Sequence, residues 1–317
     1  MAPTAKRDAA ATVPQNFSAQ EMKQLLDLAR KSKSIELKLS VPLTGHRATI
    51  AAIGLDPVEA QPRQVFFFDT ADLALNRAGL IVRARRFAGG RADTVIKRRP
   101  VDPATVDGDL KRSDSFKIEL DVMPGGFVCS ASCKGVATGR EVLDVSTGKM
   151  PLRSLFSKEQ RAFYDANSPA GIELNSLLTL GPTFLLRAKH QPKDFARGIT
   201  VEMWLYPDGS RILEISTKSV PSEAFQAAVE FKAYLADRGL IVGPSQETKT
   251  KAAMEFFRAG LEPGPVSKPA RKPAGKPAGK SAGKPARKSA KAAAAGSSKQ
   301  AVGEPQIAAE TPLRELA

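Results

Sequence analysis

Between Ser34 and Thr217 the chain repeatedly alternates apolar and polar residues, the period of a half-buried strand. The clearest case is Ser34-Ile35-Glu36-Leu37-Lys38-Leu39-Ser40-Val41, where odd-numbered positions are aliphatic and even-numbered ones polar. Strand side chains alternate sides, so one face is apolar and the other presents Glu36 and Lys38. The same reading predicts strands at Val65 to Asp69, Leu80 to Arg86, Thr94 to Arg98, Ser115 to Val122, Thr183 to His190, Ile199 to Tyr206 and Arg211 to Thr217. The last two are joined by Tyr206-Pro207-Asp208-Gly209-Ser210, where Pro presets a bend and Gly tolerates positive φ. A helix is predicted from Ser18, because Ser18 and Glu21 have capping-box spacing and Met22, Leu25, Leu26 and Ala29 share a face. Further helices are predicted at Leu152 to Tyr164, at Ser222 to Arg238 with Phe225, Val229 and Leu235 at helical spacing, and at Thr250 to Arg258. Eight antiparallel strands with few helices make an α+β barrel or sandwich.

Composition changes abruptly near Pro263. From Lys268 to Lys299 there are 10 Lys and Arg and no acid, among Ala, Pro, Gly and Ser. Such a segment has nothing to bury and is expected to be disordered. The expected organisation is a loose start over 1–16, one folded domain over 17–260 and a basic tail over 261–317. The chain carries a formal charge of +15, drawn from both tail and body, so polyphosphate, nucleic acid and acidic lipid are candidate partners. The tail over 268–299 is expected to bind nucleic acid or polyphosphate with strong salt dependence. Two cysteines, Cys129 and Cys133, are too few for a disulfide framework and read as free thiols. No apolar run reaches the length of a membrane span and Met1 to Gln15 shows no signal pattern, so a cytoplasmic location is expected.

The charged residues gather on the polar strand faces. The bases are Lys38, Arg83, Arg85, Lys97, Lys117, Arg187 and Lys189, and the acids are Glu36, Glu119, Asp121, Glu202 and Glu214. A solvated sheet face would account for alternate charges. A closed barrel with its polar faces inward would instead surround a polyanion from several sides. Guanidinium forks match phosphate oxygens and lysines supply point charge, while carboxylates suit a hard divalent cation. Arg86, Arg98 and Arg99 fall off the inward register and are expected to face solvent. Trp204 shares a face with Glu202 and is expected to pack.

The order of these pieces resembles the CYTH, or triphosphate tunnel metalloenzyme, superfamily. Its ExExK strand corresponds to Ser34-x-Glu36-x-Lys38. Its FDT segment and the Leu-rich and Arg-x-Arg stretches that follow correspond to Phe67-Phe68-Asp69-Thr70, to Leu73, Leu75, Arg77, Gly79 and Leu80, and to Arg83-Ala84-Arg85-Arg86. Ile96-Lys97-Arg98-Arg99-Pro100, Lys117-Ile118-Glu119-Leu120-Asp121, Arg187-Ala188-Lys189, Glu214-Ile215-Ser216 and Thr250-Lys251 are similar to later family strands. The resemblance covers roughly 33–258. It implies an eight-stranded antiparallel tunnel flanked by a few helices and hydrolysis or cyclisation of triphosphates with Mg²⁺ or Mn²⁺. It implies Glu36 and Glu214 as metal ligands, Glu119 and Asp121 as supports for the metal or water, and Lys38, Arg83, Arg85, Lys97, Arg187, Lys189 and Lys251 as the phosphate grip. A homodimer is a further implication.

Two positions depart from the family pattern: Ser34 and Ser216 stand where it has carboxylates. Serine is neutral and a weak donor to Mg²⁺. The phosphate-gripping bases are more intact than the metal side, a pattern that fits a non-catalytic polyphosphate or nucleotide binder as well as a metal-dependent triphosphatase. Nothing in the sequence selects a nucleotide base over bare triphosphate.

Overall fold

Period-two alternation becomes a barrel because its polar faces converge on one another rather than on bulk water. The computed structural model describes residues 17–240 and 249–261; the predicted loose start over 1–16 and the predicted basic tail over 261–317, except Leu261, lie outside the described residues. The elements in chain order are α1 (Ala19–Lys31), β1 (Ser34–Val41), α2 (His46–Ala52), β2 (Gln61–Asp69), α3 (Ala74–Arg77), β3 (Leu80–Phe87), β4 (Arg91–Arg98), α4 (Gly108–Arg112), β5 (Phe116–Met123), β6 (Gly126–Thr138), α5 (Gly139–Ser146), α6 (Lys158–Asn167), β7 (Leu178–His190), β8 (Ile199–Leu205), β9 (Arg211–Ser219), α7 (Ala224–Asp237) and α8 (Lys249–Leu261). The strands close in the order β1-β5-β6-β4-β3-β2-β7-β8-β9. All neighbours are antiparallel except β1 and β5. The α+β barrel is as expected, with nine strands rather than eight among the described residues, and it is mixed rather than purely antiparallel.

The additional strand is β6. Its alternation is real but built from small residues: Cys129, Ala131 and Cys133 enter the core, while Ser130, Ser132 and Lys134 take the other parity. Both cysteines are free and buried. Small size here admits α6, whose Gln160 is fully buried and donates through Nε2 to the Cys133 carbonyl at 3.2 Å. The helix predicted at Leu152 to Tyr164 divides, because Ser157 starts α6 with a capping box to Gln160 after a short 3₁₀ turn at Leu152–Leu155.

The main core lies outside the barrel wall. Ile35, Leu37, Leu39 and Val41 of β1 join Phe66 and Phe68 of β2, Ile215 of β9, and Ala227, Phe231, Tyr234 and Leu235 of α7 in one cluster. The α7 face therefore differs from the predicted one: Phe225 and Val229 are exposed. A second cluster is formed at inward positions. Val65 and Phe67, Ile81, Leu185 and Trp204 pack with Ala253 and Met254 of α8, forming an apolar plug beside the inward charges. Trp204 stacks on Phe67 at 6.5 Å between ring centroids, the packing role expected of it.

The Phe-Phe-Asp-Thr segment is structural. The buried Asp69 carboxylate accepts hydrogen bonds from the Leu75 and Asn76 backbone amides at 2.9 Å each and from Thr70 at 2.7 Å. It ties the end of β2 to α3 and so fixes where β3 begins.

Candidate functional site

Inward side chains from all nine strands, with Arg99 and the start of α8, line a cavity of about 340 Å³. On β1 these are Glu36, Lys38 and Ser40; on β3, Arg83 and Arg85; on β5, Glu119 and Asp121. β4 contributes Lys97, β7 Arg187 and Lys189, β8 Glu202, and β9 Glu214. Thus every predicted site residue but one meets in a single cavity. The exception is Lys251, whose side chain lies outside the described residues; Lys249 and Thr250 of the same helix line the cavity instead. Lys117 has the right parity but is exposed at the end of β5.

Sequence reasoning missed Arg63, Arg99, Lys134, Lys218 and Lys249. Arg63 extends the inward parity of Val65 and Phe67 one step earlier, and Lys218 extends that of Glu214 and Ser216 one step later. Lys134 belonged to the unread strand. Arg99 was expected in solvent; it keeps the inward parity of Lys97 beyond the end of β4, where the chain is pinned to Gly79. The Arg99 amide donates to the Gly79 carbonyl at 2.8 Å. Gly79 has φ +77°, and a Cβ there would lie 2.1 Å from the Arg99 carbonyl oxygen, so only glycine permits this approach.

Among the described residues the lining holds eleven bases against five acids, an excess of six positive charges. They are segregated by strand order. The carboxylates come from β8, β9, β1 and β5, which are contiguous in the barrel, and the guanidiniums of Arg187, Arg63, Arg83 and Arg85 come from the contiguous β7, β2 and β3.

On the carboxylate arc every acid is paired. Lys38 Nζ lies 3.2 Å from Glu36 and 3.1 Å from Asp121, and Lys97 lies 3.4 Å from Asp121. Lys218 lies 2.8 Å from Glu119 and 3.6 Å from Glu36. Lys249 lies 2.6 Å from Glu214 and 2.5 Å from Glu202. Burial alone would raise Glu36, Glu119, Asp121 and Glu202, but the neighbouring ammoniums overcome it. Glu119 is held down at about 2 by Lys218, and Glu36, Asp121 and Glu202 also lie below the usual carboxylate range.

The arginine wall is different. Arg187 meets Glu202 at 3.3 Å and Arg85 Nε donates to Asp93 at 2.8 Å, but Arg63, Arg83, Arg99, Lys134 and Lys189 make no ion pair among the described residues. The buried Nε atoms of Arg63 and Arg83 have no hydrogen-bond acceptor among the described residues. Burial and neighbouring guanidiniums push both groups down to about 10, and burial pushes Lys97 down to about 8. Arg63 and Arg83 thus hold partly buried charge without an ion-pair partner among the described residues. Such an arrangement favours entry of an anion rich in oxygen acceptors.

The expected Mg²⁺ or Mn²⁺ fits this arrangement poorly. Glu36 Oε1 accepts from Ser216 at 3.1 Å and its Oε2 faces two ammoniums, while Glu214 faces Lys249. Ser34 donates to Glu119 at 3.4 Å. The two serines act as hydrogen-bond donors to the neighbouring acids, and among the described residues no three His, Cys, Asp or Glu converge as a metal-binding group. A hard divalent ion needs several free oxygen donors with uncompensated charge.

No family model matches the chain, and no curated protein matches it in sequence. Solved structures resemble it in fold. HpAC1 from Hippeastrum, a proposed adenylyl cyclase described as having a dominant triphosphatase activity, is similar with a TM-score of 0.50 at 18% identity over 72% of this chain and 98% of that one. The proposed adenylate cyclase bh2851 from Bacillus halodurans has a TM-score of 0.49 at 15% identity over 69% of this chain and 97% of its own. PH1819 from Pyrococcus horikoshii has a TM-score of 0.38 at 11% identity over 70% and 99%. The likeness to HpAC1 is one of fold. No helix of the described residues is long and apolar enough to cross a membrane.

Proposed function

We propose that the cavity binds an anion carrying three or more linked phosphates, inorganic triphosphate or a nucleoside triphosphate, against the arginine wall. The observation that carries this reading is the set of five cavity cations without an ion-pair partner among the described residues, in a lining that carries an excess of six positive charges. A linear triphosphate offers a matching density of negative charge and enough oxygens to satisfy several guanidinium forks.

A second reading, hydrolysis of the bound triphosphate, is favoured by the carboxylate arc facing that wall. In this reading a water oxygen bonds to the terminal phosphorus as the bridging P–O bond breaks, releasing phosphate and leaving a diphosphate. Glu36, Glu119 and Asp121 are weak bases where they stand, so their part is to orient the water, and its proton departs to solvent. The arginines and lysines stabilise charge on the leaving oxygens. The fold likeness to HpAC1 supports testing this chemistry.

The test uses the full chain. Calorimetry with inorganic triphosphate should show one site, and Arg83→Met should weaken it at least about tenfold, the scale of one lost charge-assisted hydrogen bond or more. The same samples, with and without Mg²⁺ or Mn²⁺, are assayed for phosphate release from triphosphate and ATP. Equal binding by wild type and Arg83→Met would place the anion elsewhere. Binding without release under any condition would make the protein a binder rather than a hydrolase.

A further inference from the structure

The carboxylate arc already contains its cations. Antiparallel pairing of β1 with β9 sets Lys218 directly opposite Glu36, and parallel pairing of β1 with β5 sets Asp121 opposite Glu36 and Glu119 opposite Ser34. Three carboxylates from two strands thus share one patch. Lys218 reaches between two of them, 2.8 Å from Glu119 and 3.6 Å from Glu36, while Lys38 and Lys97 close on Asp121 at 3.1 and 3.4 Å. Three ammoniums balance three carboxylates with no ion drawn from solution. A free divalent cation would have to displace one of them, inside a cavity whose lining carries an excess of six positive charges.

We propose that Lys218 is a tethered counter-ion that fills the gap between Glu36 and Glu119 and supplies there the positive charge a divalent cation would bring, so that the tunnel holds its phosphate ligand without a metal. This rests on the polyphosphate reading of the cavity. The serines on either side support the arrangement. Ser34 and Ser216 each donate a hydrogen bond to one of these acids, at 3.4 and 3.1 Å, without adding the charge that would unbalance the patch. Lys218 is also suited to the part by position. Its side chain is 51% exposed, so it reaches in from the rim, and its removal would uncover two acids without opening the buried wall.

The proposal is tested on the full chain with two probes titrated separately. In the first, Mn²⁺ alone is titrated into wild type, Lys218→Ala, Lys218→Met and Lys218→Arg, with free Mn²⁺ read by electron paramagnetic resonance and the fold of each variant checked by circular dichroism. Wild type and Lys218→Arg should hold Mn²⁺ no more tightly than about 1 mM, and the two charge-removing variants should bind it at least about tenfold more tightly. Micromolar Mn²⁺ binding by wild type, or no gain on removing the Lys218 charge, overturns the proposal. In the second, inorganic triphosphate is titrated into wild type in EDTA and in Mg²⁺. Affinities within about threefold agree with a tethered counter-ion, and binding at least about tenfold tighter with Mg²⁺ overturns it. Triphosphate bound in neither condition defeats the polyphosphate reading, and the Mn²⁺ titration then decides the role of Lys218 by itself.

Discussion

At the residue scale the site is governed by which charges find partners. Lys97 shows the balance. Burial lowers its ammonium to about 8, Asp121 opposes that shift and Lys38 adds to it. A bound phosphate chain favours the charged form, so triphosphate affinity should fall as pH rises from 7 to 9, by up to about tenfold for one lost charge. The stability of the unliganded protein should move the other way. Between about 8 and the ordinary lysine value of 10.5 the unfolded chain holds a proton that folded Lys97 has released, so stability increases with pH through that window. Calorimetry and thermal melts across this range, repeated on Lys97→Met, check both signs; the variant should flatten both curves. The residues found from the sequence were those at strand centres flanked by aliphatics, such as Lys38 and Arg83. Those missed stand where alternation gives out: Arg63 and Lys218 near strand ends, and Arg99 beyond one.

At the element scale β6 was the hardest piece to see and is among the most constrained. Alternation was present, but Ser, Ala, Cys and Gly give it little contrast in hydropathy, and no β-branched run announces it. The reason for the small residues is tertiary. A Cβ on Gly135 would lie 2.4 Å from Gln160 Oε1 and 2.7 Å from Thr94 Oγ1. Gln160 cannot easily retreat, since its side-chain oxygen accepts from Thr94 at 3.0 Å and from the Ser157 amide at 3.1 Å. Gly135→Ala should therefore cost about 1–3 kcal/mol of stability, measured by urea unfolding, by overpacking the seam between β6 and α6. An unchanged urea midpoint would show that the helix shifts freely. The α7 face was misjudged for a related reason: helical spacing permits several faces, and contact with the barrel and Phe195 selected Ala227, Phe231 and Tyr234.

At the scale of the whole molecule the barrel turns ordinary amphipathic strands inside out. The apolar faces look outward to the helices, and the charges are confined together. The carboxylate arc consequently links stability to pH. Glu119, Glu36, Asp121 and Glu202 all have folded values below their ordinary ones, so their stabilising effect is present above about 4.5 and is lost as pH falls toward about 2. Glu119 alone should contribute about 2–3 kcal/mol across that interval. Urea midpoints measured between pH 6 and 2 should decline most steeply below 4.5, and Glu119→Gln should reduce that decline. A profile unchanged by the substitution would mean that the Lys218 pair is made and broken without cost.

The sequence by itself determined the local facts. Aliphatic–charged alternation set the strands, Ser18 and Glu21 set the first helix with its capping box, and the spacing of Arg83, Arg85, Lys97, Arg187 and Lys189 marked a basic face. It also carried the CYTH resemblance. Whether those faces met in one cavity or spread over a solvated sheet is a property of closure, since period two fixes sidedness but not what lies opposite. Only the tertiary structure brought the β8-β9-β1-β5 arc across from the β7-β2-β3 wall and pinned Arg99 against Gly79. Only it placed a lysine ammonium beside each acid of the arc, because ion pairing across a barrel depends on register between strands as far apart in sequence as β1 and β9.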